Sequence, residues 1–144
     1  MWGNRILLLA GRASLLISQV AGKLTEAGYV TTTAADADEV WRLLAKEPYE
    51  ALIMENSESG AKEGCLVCRM LRRRWGIPII VLGHSRDKQA RINSYQAGAD
   101  MYLQIPFEMQ ELIARLEGLL RRKLSSDEAR NRACVPTSNL VASR

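Results

Sequence analysis

Residues 98–122 read GADMYLQIPFEMQELIARLEGLLRR, and their pattern is repeated along the whole chain. Met101-Tyr102-Leu103 is a short apolar run of strand type, and Phe107 to Lys123 follows with Leu112, Ile113, Leu116, Leu119 and Leu120 at helical spacing. Just upstream, Ile77 to Leu82 is a longer apolar strand with Pro78 tolerable near its start, and a helix from Asp87 to Ala97 ends at Gly98. Further back, Ala51-Leu52-Ile53-Met54 precedes a polar loop, Glu55 to Gly60, and a helix from Gly64 to Trp75. Tyr29 to Thr33 precedes a helix capped by Asp36 or Asp38 and running to Lys46, with Val40, Leu43 and Leu44 on its inner face. Arg5 to Leu9 precedes a helix from Ser14 to Ala27, with Gly28 at its stop.

Five strand-then-helix units force parallel pairing, because each crossover helix returns the chain to the same end of the sheet. The expected architecture is an open, doubly wound five-stranded α/β sandwich. Ligands in such sheets sit at the carboxyl ends of the strands. The residues that follow strands one, three, four and five are therefore the candidates for a site.

Composition sets the outer bounds. The 144 residues suit one domain, and 47% hydrophobic with 25% charged residues is ordinary for a globular chain. Twenty Lys plus Arg against sixteen Asp plus Glu leave a net charge of +4, too mild to imply nucleic-acid binding by itself. Cys65, Cys68 and Cys134 lack the dense spacing of a disulfide scaffold, and the apolar run Ile6 to Ala10 is too short to span a bilayer. The expected location is cytoplasmic, with no membrane partner and no cofactor.

Four stretches together resemble a known family over roughly residues 4–123. RILLLAGR (5–12), YEALIMEN (49–56), GIPIIVLGHS (76–85) and the 98–122 segment are similar to a CheY-like, (βα)5 response-regulator receiver domain. The last segment resembles the OmpR/PhoB type, in which a Gly-Ala-Asp turn, a strand-five tyrosine, a Pro-Phe and an Arg-Arg-ended helix occur together. The resemblance implies phosphoryl transfer from a histidine kinase to an aspartate ending strand three. It also implies Mg²⁺ on that aspartate and an acidic pair after strand one, with a hydroxyl after strand four and a lysine after strand five gripping the phosphoryl oxygens.

The residues at those positions differ throughout. The acidic pair falls on Ala10 and Gly11, the phosphoacceptor on Glu55, the hydroxyl on Gly83 and the lysine on Ile105. These are the residues of a degenerate, pseudo-receiver pocket with no metal and no catalytic group. Arg12 and His84, on neighbouring loops, are candidates to pair with Glu55 in place of the metal.

The opposite face keeps more of the pattern. In the OmpR/PhoB type, helix four, strand five and helix five form a two-fold dimer surface; Arg91, Glu111 and Arg115 fall at its charged positions and Tyr102 at its aromatic switch. Met101 stands where an acid would pair with Arg115. The resulting expectation is a phosphorylation-independent homodimeric regulatory module over residues 1–124. Residues 125–144 form a polar tail or linker toward a winged-helix DNA-binding domain, so DNA is contacted only indirectly. The alternatives are a stand-alone protein-docking adaptor, or a phospho-accepting regulator with an unusual site.

Two other motifs carry less. Cys65-Leu66-Val67-Cys68 has redox spacing, but its thiols suit the inner face of helix three. Arg72-Arg73-Arg74 wraps around a helix end ahead of Trp75 and reads as a solvated terminus complementing the helix dipole.

Overall fold

The strands that the sequence predicts all form, and cover on both faces explains why the central ones are mostly apolar, whereas residues 30–34 at the sheet edge carry three threonines. In the computed structural model, which describes residues 5–9, 14–56, 61–84 and 88–134, the chain runs β1 (Arg5–Leu9), α1 (Leu15–Glu26), β2 (Val30–Ala34), α2 (Ala37–Lys46), β3 (Ala51–Asn56) and α3 (Ala61–Arg74). It continues as β4 (Ile79–Gly83), α4 (Lys88–Ala97), β5 (Met101–Gln104) and α5 (Met109–Cys134). The sheet is parallel throughout in the order β2-β1-β3-β4-β5.

Successive strand residues point to opposite faces. Ile6, Leu8, Ile53, Ile80 and Leu82 pack with Ile17, Val20 and Leu24 of α1 and Leu112 and Leu116 of α5. Leu7, Leu52, Met54, Ile79 and Val81 pack on the other face with Val40 of α2 and Val67, Cys68 and Leu71 of α3. Both faces of the sheet are thus covered, as a parallel sheet requires.

Local chemistry fixes the ends of the elements. Ser14 caps α1, its Oγ accepting from the Ile17 amide at 3.1 Å, and Asp36 caps α2 by accepting from Glu39 N at 2.9 Å. Gly28 and Gly98 end their helices with φ of 99° and 117°, a backbone that side chains rarely tolerate. The β4 ladder begins at Ile79 rather than at Ile77, because Pro78 has no amide to donate; its carbonyl still accepts from Leu52 N at 2.9 Å.

The Gly-Ala-Asp turn is explained by a staple at the amino-terminal end of the sheet. Asp100 Oδ2 accepts from the Ile79 amide at 2.8 Å and from Arg72 Nη1 at 3.2 Å, which joins the end of α3 to the starts of β4 and β5. The arginine run is accordingly not a uniform solvated terminus. Arg72 is held by Asp100, and Arg74 lies 5.0 Å from the Trp75 ring, itself stacked on Trp41 of α2 at 5.8 Å.

Two boundaries differ from the sequence reading. Helix α3 starts at Ala61, before Gly64, so the glycine is carried inside the helix at modest cost. Helix α5 runs to Cys134 instead of stopping at Lys123, so the segment read as a polar tail from residue 125 is helical over its first part. Among the described residues no helix is long and apolar enough to cross a membrane.

Candidate functional site

Glu55 lies near the carboxyl end of β3, opposite Leu82 of β4, with Asn56 opposite Gly83. Its period along the strand matches Ile53, so its side chain leaves on the α1/α5 face and meets the start of α1. Ser14 Oγ donates to Glu55 Oε1 at 2.5 Å. The same hydroxyl accepts from Ile17 N, so one serine caps the helix and holds the carboxylate at its positive end. On the other side His84 Nε2 lies 3.2 Å from Glu55 Oε2, an ion pair when the imidazole is protonated. The Glu55 side chain is only 16% exposed, against 55% for His84.

The other pocket positions are apolar or bare. Gly83 offers no side chain, and a Cβ built on it would overlap the Tyr102 hydroxyl and lie 2.8 Å from Tyr102 Cε2. Ile105 is half-buried against the α1/α5 core, its amide donating to Gly83 O at 2.8 Å. The Ile105–Pro106 peptide is cis. Ala10, Gly11 and Arg12 lie outside the described residues.

Among the described residues this donor set does not fit Mg²⁺. A hard divalent cation wants several carboxylate or carbonyl oxygens in octahedral array. Here both Glu55 oxygens already have partners, and among the described residues no group of three or more His, Cys, Asp or Glu stands where a metal could be held.

The second candidate surface spans α4, β5 and α5. Arg91, Ile92 and Tyr95 are exposed on α4, the latter two at 41% and 46%. Tyr95 Oη accepts from the Tyr102 amide at 3.1 Å, which satisfies a donor on the edge strand. Arg115 pairs with Glu111 one turn earlier, Nη2 to Oε2 at 3.1 Å, and its Nη1 lies 3.9 Å from Met101 Sδ. The guanidinium is thus shared between its own helix and the Met101 sulfur.

The structure therefore brings Glu55 and His84 together, and Met101, Glu111 and Arg115 together. Sequence reasoning missed Ser14 as a partner of Glu55, and Tyr95 as a partner of β5. Ser14 carried a signal, since a serine just before the first apolar helical position is a cap. Nothing in the sequence pointed to Tyr95. Cys68 of the Cys-x-x-Cys is buried in the α2/α3 core.

A parallel five-stranded sheet of this order, with its polar cluster at the carboxyl end of the third strand, defines the class. The family model described as "Response regulator receiver domain" matches residues 10–117, and the chain belongs to that family. It is 36% identical over 115 residues to "Response regulator MprA" of Mycobacterium ulcerans, which covers 78% of this chain and 49% of that protein. It is 32% identical over 120 residues to "Probable transcriptional regulator ycf27" of Porphyra purpurea, covering 83% of this chain and 48% of that one. The chain spans about half the length of these curated relatives. Its fold matches a receiver domain protein (CheY-like) from Methanospirillum hungatei JF-1 with a TM-score of 0.75 at 20% identity, over 87% of this chain and 99% of that one. The expected CheY-like fold is thereby borne out.

Proposed function

We propose that the chain is a phosphorylation-independent receiver module that acts by self-association through α4, β5 and α5, as the regulatory part of a transcription regulator. The observation that carries this reading is the engagement of both Glu55 oxygens by Ser14 and His84. A carboxylate so held is a poor phosphoacceptor. Glycine at 83 and isoleucine at 105 supply neither hydroxyl nor ammonium to grip a phosphoryl group. The sheet end that would take a phosphoryl group from a histidine kinase is closed by the protein's own side chains.

The dimer surface is supported by the exposed Ile92 and Tyr95 beside Met101, flanked by Arg91, Glu111 and Arg115. Apolar contact would supply the affinity, since exposed ion pairs contribute only about 0 to 1 kcal/mol each. One symmetric patch suffices for a two-fold dimer. Residues 1–124 would form this module, with the segment from 125 leading to a winged-helix DNA-binding domain. The relatives of twice the length, one of them named a transcriptional regulator, support that arrangement.

The test is sedimentation across a concentration series, with and without beryllofluoride plus Mg²⁺ as a phosphoryl mimic. The expected result is a dimer whose mass ignores the additive, and whose association weakens by about tenfold, near 1.4 kcal/mol, in Arg115→Glu. A mass that shifts with the additive would overturn the reading of the pocket. An Arg115→Glu protein that associates normally would reject the face.

A further inference from the structure

Helix α3 presents to water a face that its packing does not explain. Val67, Cys68 and Leu71 turn into the core. Leu66 and Met70, one turn apart, remain 54% and 44% exposed, and Arg74 continues the same stripe at the next turn. Arg69 and Arg73 flank that stripe, also one turn apart and exposed. Like charges at this spacing repel, and among the described residues no carboxylate pairs with Arg69, Arg73 or Arg74. The helix dipole favours arginines in the last turn, yet it gives no reason for Arg69 or for two large apolar side chains left in water.

The stripe ends at an aromatic pair shared with α2. Arg74 lies over the Trp75 ring at 5.0 Å, and Trp75 stacks on Trp41 of α2 at 5.8 Å with the planes 8° apart. The Trp75 amide donates to Leu71 O at 2.8 Å, so the ring is carried by the last turn of α3 and is fixed relative to the stripe. Both tryptophans are half-buried, which leaves a rigid apolar edge in contact with solvent.

We propose that the α2–α3 side of the domain docks an amphipathic helix of another protein, one whose apolar stripe is flanked by glutamates or aspartates. Leucine-type side chains at i, i+3, i+4 and i+7 of that helix would lie along Leu66 and Met70 and reach the Trp41–Trp75 edge. Its carboxylates would meet Arg69, Arg73 and Arg74, whose planar guanidinium groups suit them. A nucleic acid fits less well, because Trp75 is already engaged by Arg74 and Trp41 and leaves little free ring for a base. An anionic membrane also fits less well, since two apolar side chains on a helix whose inner face belongs to the core give little to insert. None of these residues lies on α4, β5 or α5, so the proposal goes beyond self-association. One face would pair two copies, and the other would bring a second protein to them.

The experiment titrates the full, isotope-labelled chain by NMR with a synthetic peptide of about 20 residues, long enough to form a helix, with leucines at i, i+3, i+4 and i+7 and glutamates beside them. Saturable shifts should fall on the amides of Leu66, Arg69, Met70 and Arg73 and on the indole signals of Trp41 and Trp75. Arg73→Glu should weaken binding about tenfold and Met70→Ser about threefold, whereas Arg115→Glu, on the other face, should bind as the unmodified protein does. Both α3 variants replace exposed side chains, so unchanged melting midpoints are expected and show that the loss is one of binding. Absence of saturable shifts, or shifts centred on α1, α4 or α5, would overturn the proposal. So would undiminished affinity in both α3 variants, or equal binding of a peptide with lysines for the glutamates or with its leucines moved out of helical spacing. A single-stranded DNA oligonucleotide or phosphatidylglycerol vesicles that shift the same residues and displace the peptide would assign the face to another class of ligand and reject the helix.

Discussion

Asp100 and Glu55 are carboxylates at opposite ends of one sheet, and their partners differ in kind. Asp100, at the amino-terminal end, accepts from a backbone amide of β4 and from the Arg72 guanidinium. Glu55, near the carboxyl end, is held by a hydroxyl and an imidazole, both borne on side chains at the edges of loops. The first arrangement satisfies a buried main-chain donor and fastens three elements. The second satisfies the carboxylate itself. Equal chemistry therefore serves stability at one end and the state of the site at the other.

The comparison predicts unequal costs of removal. Asp100→Ala leaves the Ile79 amide without its partner inside the protein and should destabilise by about 2 to 3 kcal/mol in urea unfolding. A cost near zero would break the distinction between the two ends. Ser14→Ala removes both the cap of α1 and the hydroxyl on Glu55, and should cost about 1 kcal/mol, within the usual range for a lost cap. Restoring the cap with Ser14→Asp should not restore the site, because two carboxylates would then face each other; His84 and Glu55 amide shifts would report the difference.

A smaller effect separates the ends by pH. Tyr29 and Tyr49 precede β2 and β3, so both lie at the amino-terminal end. Burial pushes the Tyr29 phenol above its ordinary value of 10.0, with the Glu117 carboxylate adding to the rise. Burial likewise raises Tyr49, whose hydroxyl donates to Glu47 at 3.1 Å. For a folded value above the unfolded one, the contribution to stability is complete below about pH 10 and is lost as pH rises through the folded values. Unfolding midpoints measured from pH 9 upward should decline, and the decline should be shallower in Tyr29→Phe, Tyr49→Phe protein.

Local patterns carried most of the fold. The apolar runs at Ile6 to Leu9 and Ile79 to Leu82 could only be strands covered on both faces, and Gly28 and Gly98 marked helix stops by backbone geometry. The extent of α5 beyond Lys123 was not read from the sequence because polarity at residues 125–134 breaks the apolar period without forbidding a helix. At the site, the flanking strands set the register of Glu55, Gly83 and Ile105. Ser14 and Glu55 are 41 residues apart, and Tyr102 reaches Gly83 from the neighbouring strand, so neither pairing leaves a periodic trace. Contacts of that range are products of the topology.

The most direct test of the proposed closed pocket is an amide-shift titration of the full chain with Mg²⁺ and then beryllofluoride. The amide signals of Ser14, Glu55, His84, Gly83 and Tyr102 are expected to keep their positions through both additions. Saturable shifts that begin at Glu55 and extend to Tyr102 and Tyr95 would contradict it, and would mark a pocket that still takes a metal and a phosphoryl group and passes the event to α4 and β5.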